Sequence, residues 1–517
     1  MTGLAATILA VMISGFVRDS GSGNGIAGVV VSDGFSCTVT AGDGSYSLRA
    51  DSLARTVGIS VPDAYEIPLG RDGRPLFYHL IPSASYDFPL TPRKRGSRRF
   101  SLVALADIHV VKPADMKRFD RESVPDIQKT IDGLRKDGPV IGVALGDQVT
   151  DTPSYTAPVQ KRLASFRTGR ERVPFFLCIG NHDHFNADGR SELAVTERFV
   201  RESAPRDYSF NMGGVHFVVL DNVQYKGSQK DITKIAYTDG LTDSQIEWLR
   251  QDLSYVADKD SRAVVLCMHS PLFGRFANKN GLKALLGGFR EVHILSGHSH
   301  NINNVWHSDT IWEHNVQSLC GSWWYSNVSP NGSPNGYAVL SFEDGVLSEE
   351  YNKATGEGAD LQMRVYDGND SYDEHTPYSG LKGPSKMPRT YGWPEELKGC
   401  FVVRVWDGTR GWDVKFVQGG KEVPMKQTEF KFPDACTYAY MVNVHGAPCG
   451  GRGIYRDKLD AFWIFEAPCG DPALEKDWEI VATHHMPSGR NVEYRTSVLT
   501  RDYRGFRTGS HYKRRTK

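Results

Sequence analysis

The sequence predicts a layered α/β domain between two mostly β regions. Residues 1–95 alternate β-branched runs with Asp-Gly turns, which is typical of hairpins and predicts an Ig-like β-sandwich. Residues 96–355 alternate apolar strands with amphipathic segments, which indicates an α/β domain. Residues 356–517 begin with a stretch rich in Pro and Gly and continue as short strands with Gly turns. We therefore expect three domains, as a length of 517 residues allows.

The overall charge argues against one class of function. The 61 basic residues balance the 61 acidic ones, so the formal net charge is zero. A protein that binds polyanions through bulk electrostatics needs a basic excess. We interpret the basic clusters at 91–99 and 511–517 as a solvated linker and a tail, and expect no nucleic acid as a stable partner.

The cysteines and the N-terminus argue against further classes of protein. None of the eight cysteines forms a Cys-x-x-Cys pair, which argues against a zinc ribbon or a thioredoxin-type site. Cys436, Cys449 and Cys469 lie close in sequence and allow one disulfide in an exported protein. The apolar start, MTGLAATILAVMISG, is shorter than the roughly 20 residues that cross a bilayer. We expect no transmembrane segment.

Metal-capable side chains follow five of the predicted strands of the α/β domain. These side chains are Asp107 and His109, Asp147, Asn181 with His182 and Asp183, His269, and His298 with His300. The carboxyl ends of strands in such sheets meet at one edge, where ligands bind. One histidine after a strand is more often structural than a ligand, but agreement between five segments favours a site. The oxygen and imidazole donors suit Mn, Fe or Zn, and their number fits two ions.

His298 and His300 end the run VHILSGHSH. Residues two apart on an extended chain share a face, so both rings are expected to point at one place. The alternative is a polar loop with two solvated histidines.

These blocks resemble a known family. Asp107-x-His109, Gly146-Asp147, Gly180-Asn181-His182-Asp183, His269 and Gly297-His298-Ser299-His300 are similar to the calcineurin-like metallophosphoesterases, in that family's order. The flanks resemble a bacterial three-part form with an N-terminal β-sandwich and a C-terminal β domain. The resemblance implies a four-layer α/β/β/α core.

The resemblance also implies residue roles and a reaction. Asp107, His109 and His300 would hold one divalent ion, Asn181, His269 and His298 the other, and Asp147 both. The implied activity is hydrolysis of a phosphomonoester or phosphodiester by a metal-bound hydroxide. His182, unligated, would donate a proton to the departing oxygen. The family often has Gly-Asp-x-x-Asp, whose second Asp pairs with this histidine. Here Thr150 occupies that offset, which leaves Asp151 and Asp183 as candidate partners.

The run SLCGSWWYSN carries Trp323 and Trp324, which we predict to contact substrate; the alternative is that they cover a domain junction. His184, His216, His293, His307 and His314 lack a partner pattern and are interpreted as structural or surface residues.

The competing hypothesis is an inactive surface scaffold that binds glycan or protein and retains a relic metal site. No metal ligand of the family is missing, which favours the enzyme. The β modules and the apolar start favour export to a bacterial periplasm or cell surface, with the cytoplasm as the alternative.

Overall fold

The computed structural model describes residues 11–94, 98–185, 191–226, 236–324, 327–329, 331–369, 395–408, 410–428 and 462–500. Cys436, Cys449 and the basic tail at 511–517 lie outside these ranges, so the predicted disulfide stays a prediction. Among the described helices, none has the length and apolar character that a membrane crossing requires.

The N-terminal region consists of two small sheets. Its strands are β1 Met12–Asp19, β2 Val30–Ser32, β3 Cys37–Val39, β4 Ser45–Arg49, β5 Thr56–Ile59, β6 Tyr78–Leu80 and β7 Phe88–Leu90. The sheet orders are β4-β1-β7 and β3-β2-β5-β6. Antiparallel pairing of β2 with β3 confirms the hairpin predicted around Asp33-Gly34, where Gly34 has φ +87°. That the two sheets form a β-sandwich stays a prediction.

The central region is built from alternating strands and helices. Its helices are α1 Pro113–Arg118, α2 Val124–Leu134, α3 Thr156–Leu163, α4 Glu192–Glu202, α5 Asp243–Ser254 and α6 Lys279–Leu286. Its strands are β8 Arg99–Leu105, β9 Val140–Leu145, β10 Arg167–Thr168, β11 Glu171–Arg172, β12 Phe175–Cys178, β13 Tyr208–Met212, β14 Val215–Val219, β15 Val223–Tyr225, β16 Tyr237–Asp239, β17 Ala263–Cys267, β18 Glu291–Ser296, β19 Val305–Trp306, β20 Ile311–Asn315, β21 Gly336–Glu343 and β22 Val346–Ala354. A capping box of Thr242 and Gln245 begins α5.

Two large sheets form the centre of this region. The first has the order β12-β9-β8-β21-β22, and the second has the order β13-β14-β17-β18-β20-β19. Strands β12, β9 and β8 are parallel to each other, as are β14, β17, β18 and β20. Their carboxyl ends can therefore present the residues that follow each strand.

The two sheets pack face to face through aromatic side chains. Phe217 of the second sheet lies 6.0 Å from Phe100 and 6.2 Å from Phe342 of the first, measured between ring centroids. On its other face the second sheet packs Val264 and Leu266 in one apolar cluster with Trp248 of α5. Successive side chains of β17 point to opposite faces of the sheet. Val265 and Cys267 therefore belong to the apolar cluster between the sheets. The full four-layer arrangement stays a prediction.

The C-terminal region has two further sheets. Its strands are β23 Met363–Asp367, β24 Cys400–Val405, β25 Trp412–Gln418, β26 Lys421–Pro424, β27 Lys426–Thr428, β28 Phe462–Glu466, β29 Trp478–His485 and β30 Asn491–Thr496. The orders are β23-β24-β28-β27 and β26-β25-β29-β30. A shared apolar cluster that includes Phe401, Val403, Phe416 and Ile480 joins them.

Candidate metal centre

The predicted ligands come together where the ends of the two large sheets meet. Strands β8, β9 and β12 deliver Asp107, His109, Asp147, Asn181 and His182, and strands β17 and β18 deliver His269, His298 and His300. The sequence indicated one sheet edge; the structure uses two adjoining edges. Five of these residues have left-handed backbone conformations, with φ between +49° and +65°: Asp107, His109, Asp147, His298 and His300. Such strain costs about 1–3 kcal/mol per residue and is concentrated at functional sites.

Three side chains form a first group of donor atoms. Nε2 of His109 lies 2.9 Å from Nε2 of His300. Oδ1 of Asp107 lies 3.5 Å from the His109 nitrogen and 3.3 Å from the His300 nitrogen. All three residues are buried. Three potential ligand atoms thus point at one small volume.

A second group lies beside the first. Nε2 of His269 is 2.9 Å from Oδ1 of Asn181 and 3.2 Å from Nδ1 of His298. Oδ2 of Asp147 is 3.3 Å from this His269 nitrogen and 3.5 Å from Nε2 of His109 in the first group. Asp147 therefore lies between the two groups, as the resemblance implied for a bridging ligand.

The donor atoms of the centre are arranged to bind divalent cations rather than to hydrogen-bond with each other. Oδ1 of Asp107 is buried and has no hydrogen-bond partner among the described residues. A buried carboxylate oxygen without a donor is costly unless a cation supplies the missing charge. The donors are oxygens and imidazole nitrogens without a thiolate, a set that suits Mn, Fe or Zn.

Hydrogen bonds behind the ligands fix which ring nitrogen faces the centre. Nδ1 of His269 donates to the Leu145 carbonyl at 2.8 Å, because a carbonyl can only accept. In the neutral ring, which is the form that binds a metal, Nε2 therefore carries the lone pair that faces the centre. Nδ1 of His109 lies 2.7 Å from Oγ1 of Thr150, which orients that ring in the same way. Such contacts are the usual outer support of metal-bound histidines.

Two glycines allow the carboxylates to come this close. A Cβ at Gly180 would lie 2.3 Å from Oδ1 of Asp147, and one at Gly297 would lie 2.7 Å from Oδ2 of Asp107. Any larger residue would displace the carboxylates. Lack of space for a Cβ therefore explains why glycine begins the Gly-Asn-His-Asp and Gly-His-Ser-His blocks.

The electrostatics of the metal-free centre keep its carboxylates ionised. Burial raises the pKa of Asp107, but the charge of His300 and the neighbouring ring nitrogens of His109 and His300 outweigh burial and hold it well below the usual value. Burial is likewise outweighed at Asp147, chiefly by the charge of His269, so its pKa is lowered. Burial lowers the pKa of His269, but Asp147 and Asp107 together raise it to about 10. The carboxylates are thus in the form that metal binding requires.

His182 stands beside the two groups on the turn Asn181–Asp183. Its Nδ1 lies 3.0 Å from Oδ2 of Asp151, and its backbone N–H donates to Oδ1 of Asp147. Asp183 instead accepts from the Gly180 N–H at 3.0 Å. Of the two partners that the sequence left open, Asp151 makes the contact. Burial lowers the pKa of His182, but Asp147 and Asp151 raise it above the usual value.

The two tryptophans differ in exposure and in what they contact. Trp323 is half-buried, and its ring centroid lies 4.1 Å from that of His109 and 4.9 Å from that of His300. Trp324 is 6% exposed and donates its indole N–H to the Ile108 carbonyl at 2.8 Å. Trp324 therefore supports the loop after β8 and presents little surface to a ligand.

The structure adds two asparagines that the sequence analysis missed. Oδ1 of Asn222 accepts from the backbone N–H groups of His269 and Ser270. Nδ2 of Asn315 donates to the Gly297 carbonyl at 2.7 Å, and its Oδ1 accepts from Ser299. Both asparagines follow or end apolar strands, VHFVVLDN and IWEHN, which is the same signal that identified the ligands. They fix the loops that carry His269, His298 and His300.

Comparisons with known proteins give three consecutive matches. Residues 100–301 match the model described as Calcineurin-like phosphoesterase. Residues 12–93 match the N terminal of Calcineurin-like phosphoesterase, and residues 313–484 match its C terminal. The chain belongs to the calcineurin-like phosphoesterase family. The family prediction is thereby confirmed, while the bacterial origin stays a prediction.

Similar proteins include several named phosphatases. Purple acid phosphatase 23 of Arabidopsis thaliana is 30% identical over 145 residues, which cover 25% of this chain and 29% of that protein. Serine/threonine-protein phosphatase CPPED1 of Pongo abelii is 30% identical over 107 residues, which cover 21% of this chain and 31% of that protein. The chain thus matches less than a third of the length of either relative.

The comparison with solved structures also gives two matches with low TM-scores. A dimetal phosphatase from Danio rerio has a TM-score of 0.34 at 16% identity, covering 47% of this chain and 93% of its own. A 5'-nucleotidase from Candida albicans SC5314 has a TM-score of 0.27 at 13% identity, covering 47% of each chain.

Proposed function

We propose that this protein is a dinuclear-metal phosphoesterase that hydrolyses a phosphomonoester or a phosphodiester. One observation carries the proposal: donor atoms of seven side chains converge in two groups, with a single carboxylate oxygen of Asp147 between them. The family match supports the reaction class. The phosphatase names of the matched relatives point the same way.

The two groups would each hold one divalent ion, Mn, Fe or Zn. Asp107, His109 and His300 would hold the first ion. Asn181, His269 and His298 would hold the second. Asp147 would bridge them. Two such ions, when bound, supply a water of lowered pKa and offset the charge on phosphoryl oxygens.

The side chains around the ions supply orientation and a proton. Asp151 fixes Nδ1 of His182, which leaves Nε2 as the nitrogen that acts on a ligand. Asp147 and Asp151 raise the pKa of His182, which favours the protonated ring that can donate to the departing oxygen. Such a role contributes roughly 10²–10⁴ in rate.

Trp323 is the best candidate for contact with the organic part of the ester. Its ring lies 5.9 Å from that of His182, the group proposed to protonate the leaving oxygen. An aromatic face next to the leaving group can stack on a planar or sugar moiety. We make this proposal for Trp323 alone, because Trp324 is buried.

Hydrolysis of chromogenic phosphate monoesters and diesters with added Mn²⁺ tests the function. We expect metal-dependent turnover by the wild type, and a loss of at least about 10³-fold after chelation or in Asp147→Asn, since the ions contribute several kcal/mol. Asp252→Asn is the matched control. Asp252 is an equally buried aspartate, 2.8 Å from His216 and outside the centre.

Equal turnover by the wild type, the chelated protein and Asp147→Asn would falsify the proposed function. Tight glycan binding without phosphate release from either ester class would favour the scaffold hypothesis instead.

We also propose the domain limits 1–95, 96–355 and 356–517. The C-terminal family match begins at residue 313, but β21 pairs with β8 in the first sheet, which supports a limit after β22. Export to a bacterial periplasm or cell surface is proposed on the β modules and the apolar start. Recovery of the untagged protein only in the cytoplasm of its native cell would contradict it.

A further inference from the structure

A cavity of about 700 Å³ lies between the N-terminal region and α3, which follows the Asp151 loop. Its cationic lining residues are Arg71, Arg74, Lys161, Arg172 and Arg201, and its carboxylates are Asp72 and Glu202. We name it the α3 cavity. Five cationic and two anionic side chains around one space are unusual in a chain whose net charge is zero.

Both carboxylates of the α3 cavity are already engaged by arginines. Asp72 forms an ion pair with Arg74 at 2.7 Å, and Glu202 forms one with Arg201 at 2.9 Å. The other three cationic side chains are Arg71, Lys161 and Arg172. Within the described part of the chain, none of the three has a carboxylate at ion-pair distance. Three positive charges therefore remain uncompensated around the cavity.

Arg172 is held in place at the edge of the cavity. Its Nη1 donates to the Arg71 carbonyl at 3.3 Å. The turn at Gly73 packs directly against it, since a Cβ on Gly73 would lie 2.2 Å from that nitrogen. The remaining guanidinium N–H groups have no acceptor among the described residues. A fixed guanidinium with free donors matches the oxygens of a phosphate group.

The N-terminus of α3 lies at the same cavity. Thr156, the first residue of α3, is one of the lining residues. The first turn of a helix favours negative charge. A helix N-terminus thus adds to the three uncompensated cations around the cavity.

We propose that the α3 cavity is a second ligand site, separate from the metal centre, for a small molecule that carries two or more phosphate groups. Three uncompensated charges match a ligand with at least three negative charges. A volume of about 700 Å³ holds more than a single phosphate. The free donors of Arg172 bind one group, and Lys161 and Arg71 bind the next.

Calorimetric titration with inorganic tripolyphosphate tests this proposal. The titrated protein is full-length Asp147→Asn in metal-free buffer, in which the metal centre no longer competes for phosphate; chelated wild type serves as a second preparation. We expect saturable binding at one site per chain. Arg172→Gln and Lys161→Gln should each weaken it about tenfold. Inorganic phosphate should bind more weakly than tripolyphosphate.

Lys421→Gln is the matched control. Lys421 is an exposed lysine of β26 outside the cavity, and its loss changes the net charge equally. Equal weakening by Lys421→Gln and Lys161→Gln would show that binding follows net charge alone and would overturn the proposal. So would the absence of saturable binding in both preparations. Lys161 is exposed, so its variant stays informative if Arg172→Gln does not fold. None of these readouts depends on phosphoesterase activity.

Discussion

The metal centre and the interior of the second sheet each contain two histidine rings in contact. In the centre, Nε2 of His109 and Nε2 of His300 are 2.9 Å apart. In the interior, Nδ1 of His293 and Nε2 of His314 are also 2.9 Å apart. All four residues are buried and carboxylates adjoin both pairs. The two regions differ in whether their donor atoms converge.

In the interior, each outer ring nitrogen faces its own carboxylate. Nε2 of His293 lies 2.8 Å from Glu291, and Nδ1 of His314 lies 2.9 Å from Glu350. The chain Glu291–His293–His314–Glu350, which we call the interior quartet, has three contacts in a row. Its ligand atoms form this row and, among the described residues, do not converge in a group of three.

In the metal centre, the same ring-to-ring distance has a different setting. The outer nitrogen of His109 contacts a hydroxyl of Thr150, and Oδ1 of Asp107 has no donor within the described residues. Nitrogen and carboxylate donor atoms of the centre therefore converge in adjoining groups. The comparison teaches that the convergence of donor atoms distinguishes the metal centre from the interior quartet, whereas residue types alone do not.

The remaining histidines that we interpreted as structural or surface residues also lie beside carboxylates. Each has a carboxylate partner: His184 with Asp221 at 3.4 Å, His216 with Asp252 at 2.8 Å, and His307 with Glu313 at 2.7 Å. Their side chains are at most 8% exposed, so the surface interpretation is wrong, while the structural one stays a prediction.

Breaking the interior quartet should give the largest change in stability. Glu350→Ala leaves a buried imidazole without its carboxylate, so we expect the free energy of unfolding to fall by about 3–5 kcal/mol. The number of bound metal ions per chain should not change. Urea unfolding and metal analysis measure the two quantities. Glu349→Ala is the control. Glu349 is partly exposed and pairs with Arg490, and its loss should cost at most about 1 kcal/mol.

Metal ions should raise the stability of the protein through the metal centre and not through the interior quartet. Mn²⁺ at about a thousandfold above its Kd should stabilise the wild type by about 4 kcal/mol. We expect Glu350→Ala to keep this increment and Asp107→Ala to lose it, because Asp107 supplies an unsatisfied ligand oxygen. An equal increment in both variants would remove the distinction between the two regions.

Asp151→Asn should have the smallest effect of these changes. Asp151 is a positioning residue, so we expect kcat to fall by about tenfold or less while metal content is unchanged. The pKa of His182 is raised partly by Asp151, and the proton donor must be protonated. Activity is therefore lost as pH rises through that pKa, and the variant should lose it at lower pH. A pH profile of kcat that is superimposable on that of the wild type would contradict this role.

Much of the candidate centre could be predicted because its residues follow strands directly. Runs such as CMHSP and SGHSH show that a polar residue directly follows an apolar strand. Parallel strands bring such residues together at the edge of the sheet. The partner of His182 could not be fixed in this way. A loop with left-handed φ values at Asp147 and Asp151 does not follow the alternation of an extended chain. Thr150 therefore reaches His109, and Asp151 reaches His182.

The sequence by itself determined the order of strands and helices, the set of donor residues and the family, because these depend on local pattern and residue chemistry. Only the tertiary structure decided which carboxylate meets which histidine. It also decided which tryptophan is accessible and that three cationic side chains from two regions surround one cavity. Those facts depend on contacts between residues far apart in the chain, and neither periodicity nor composition encodes such distances.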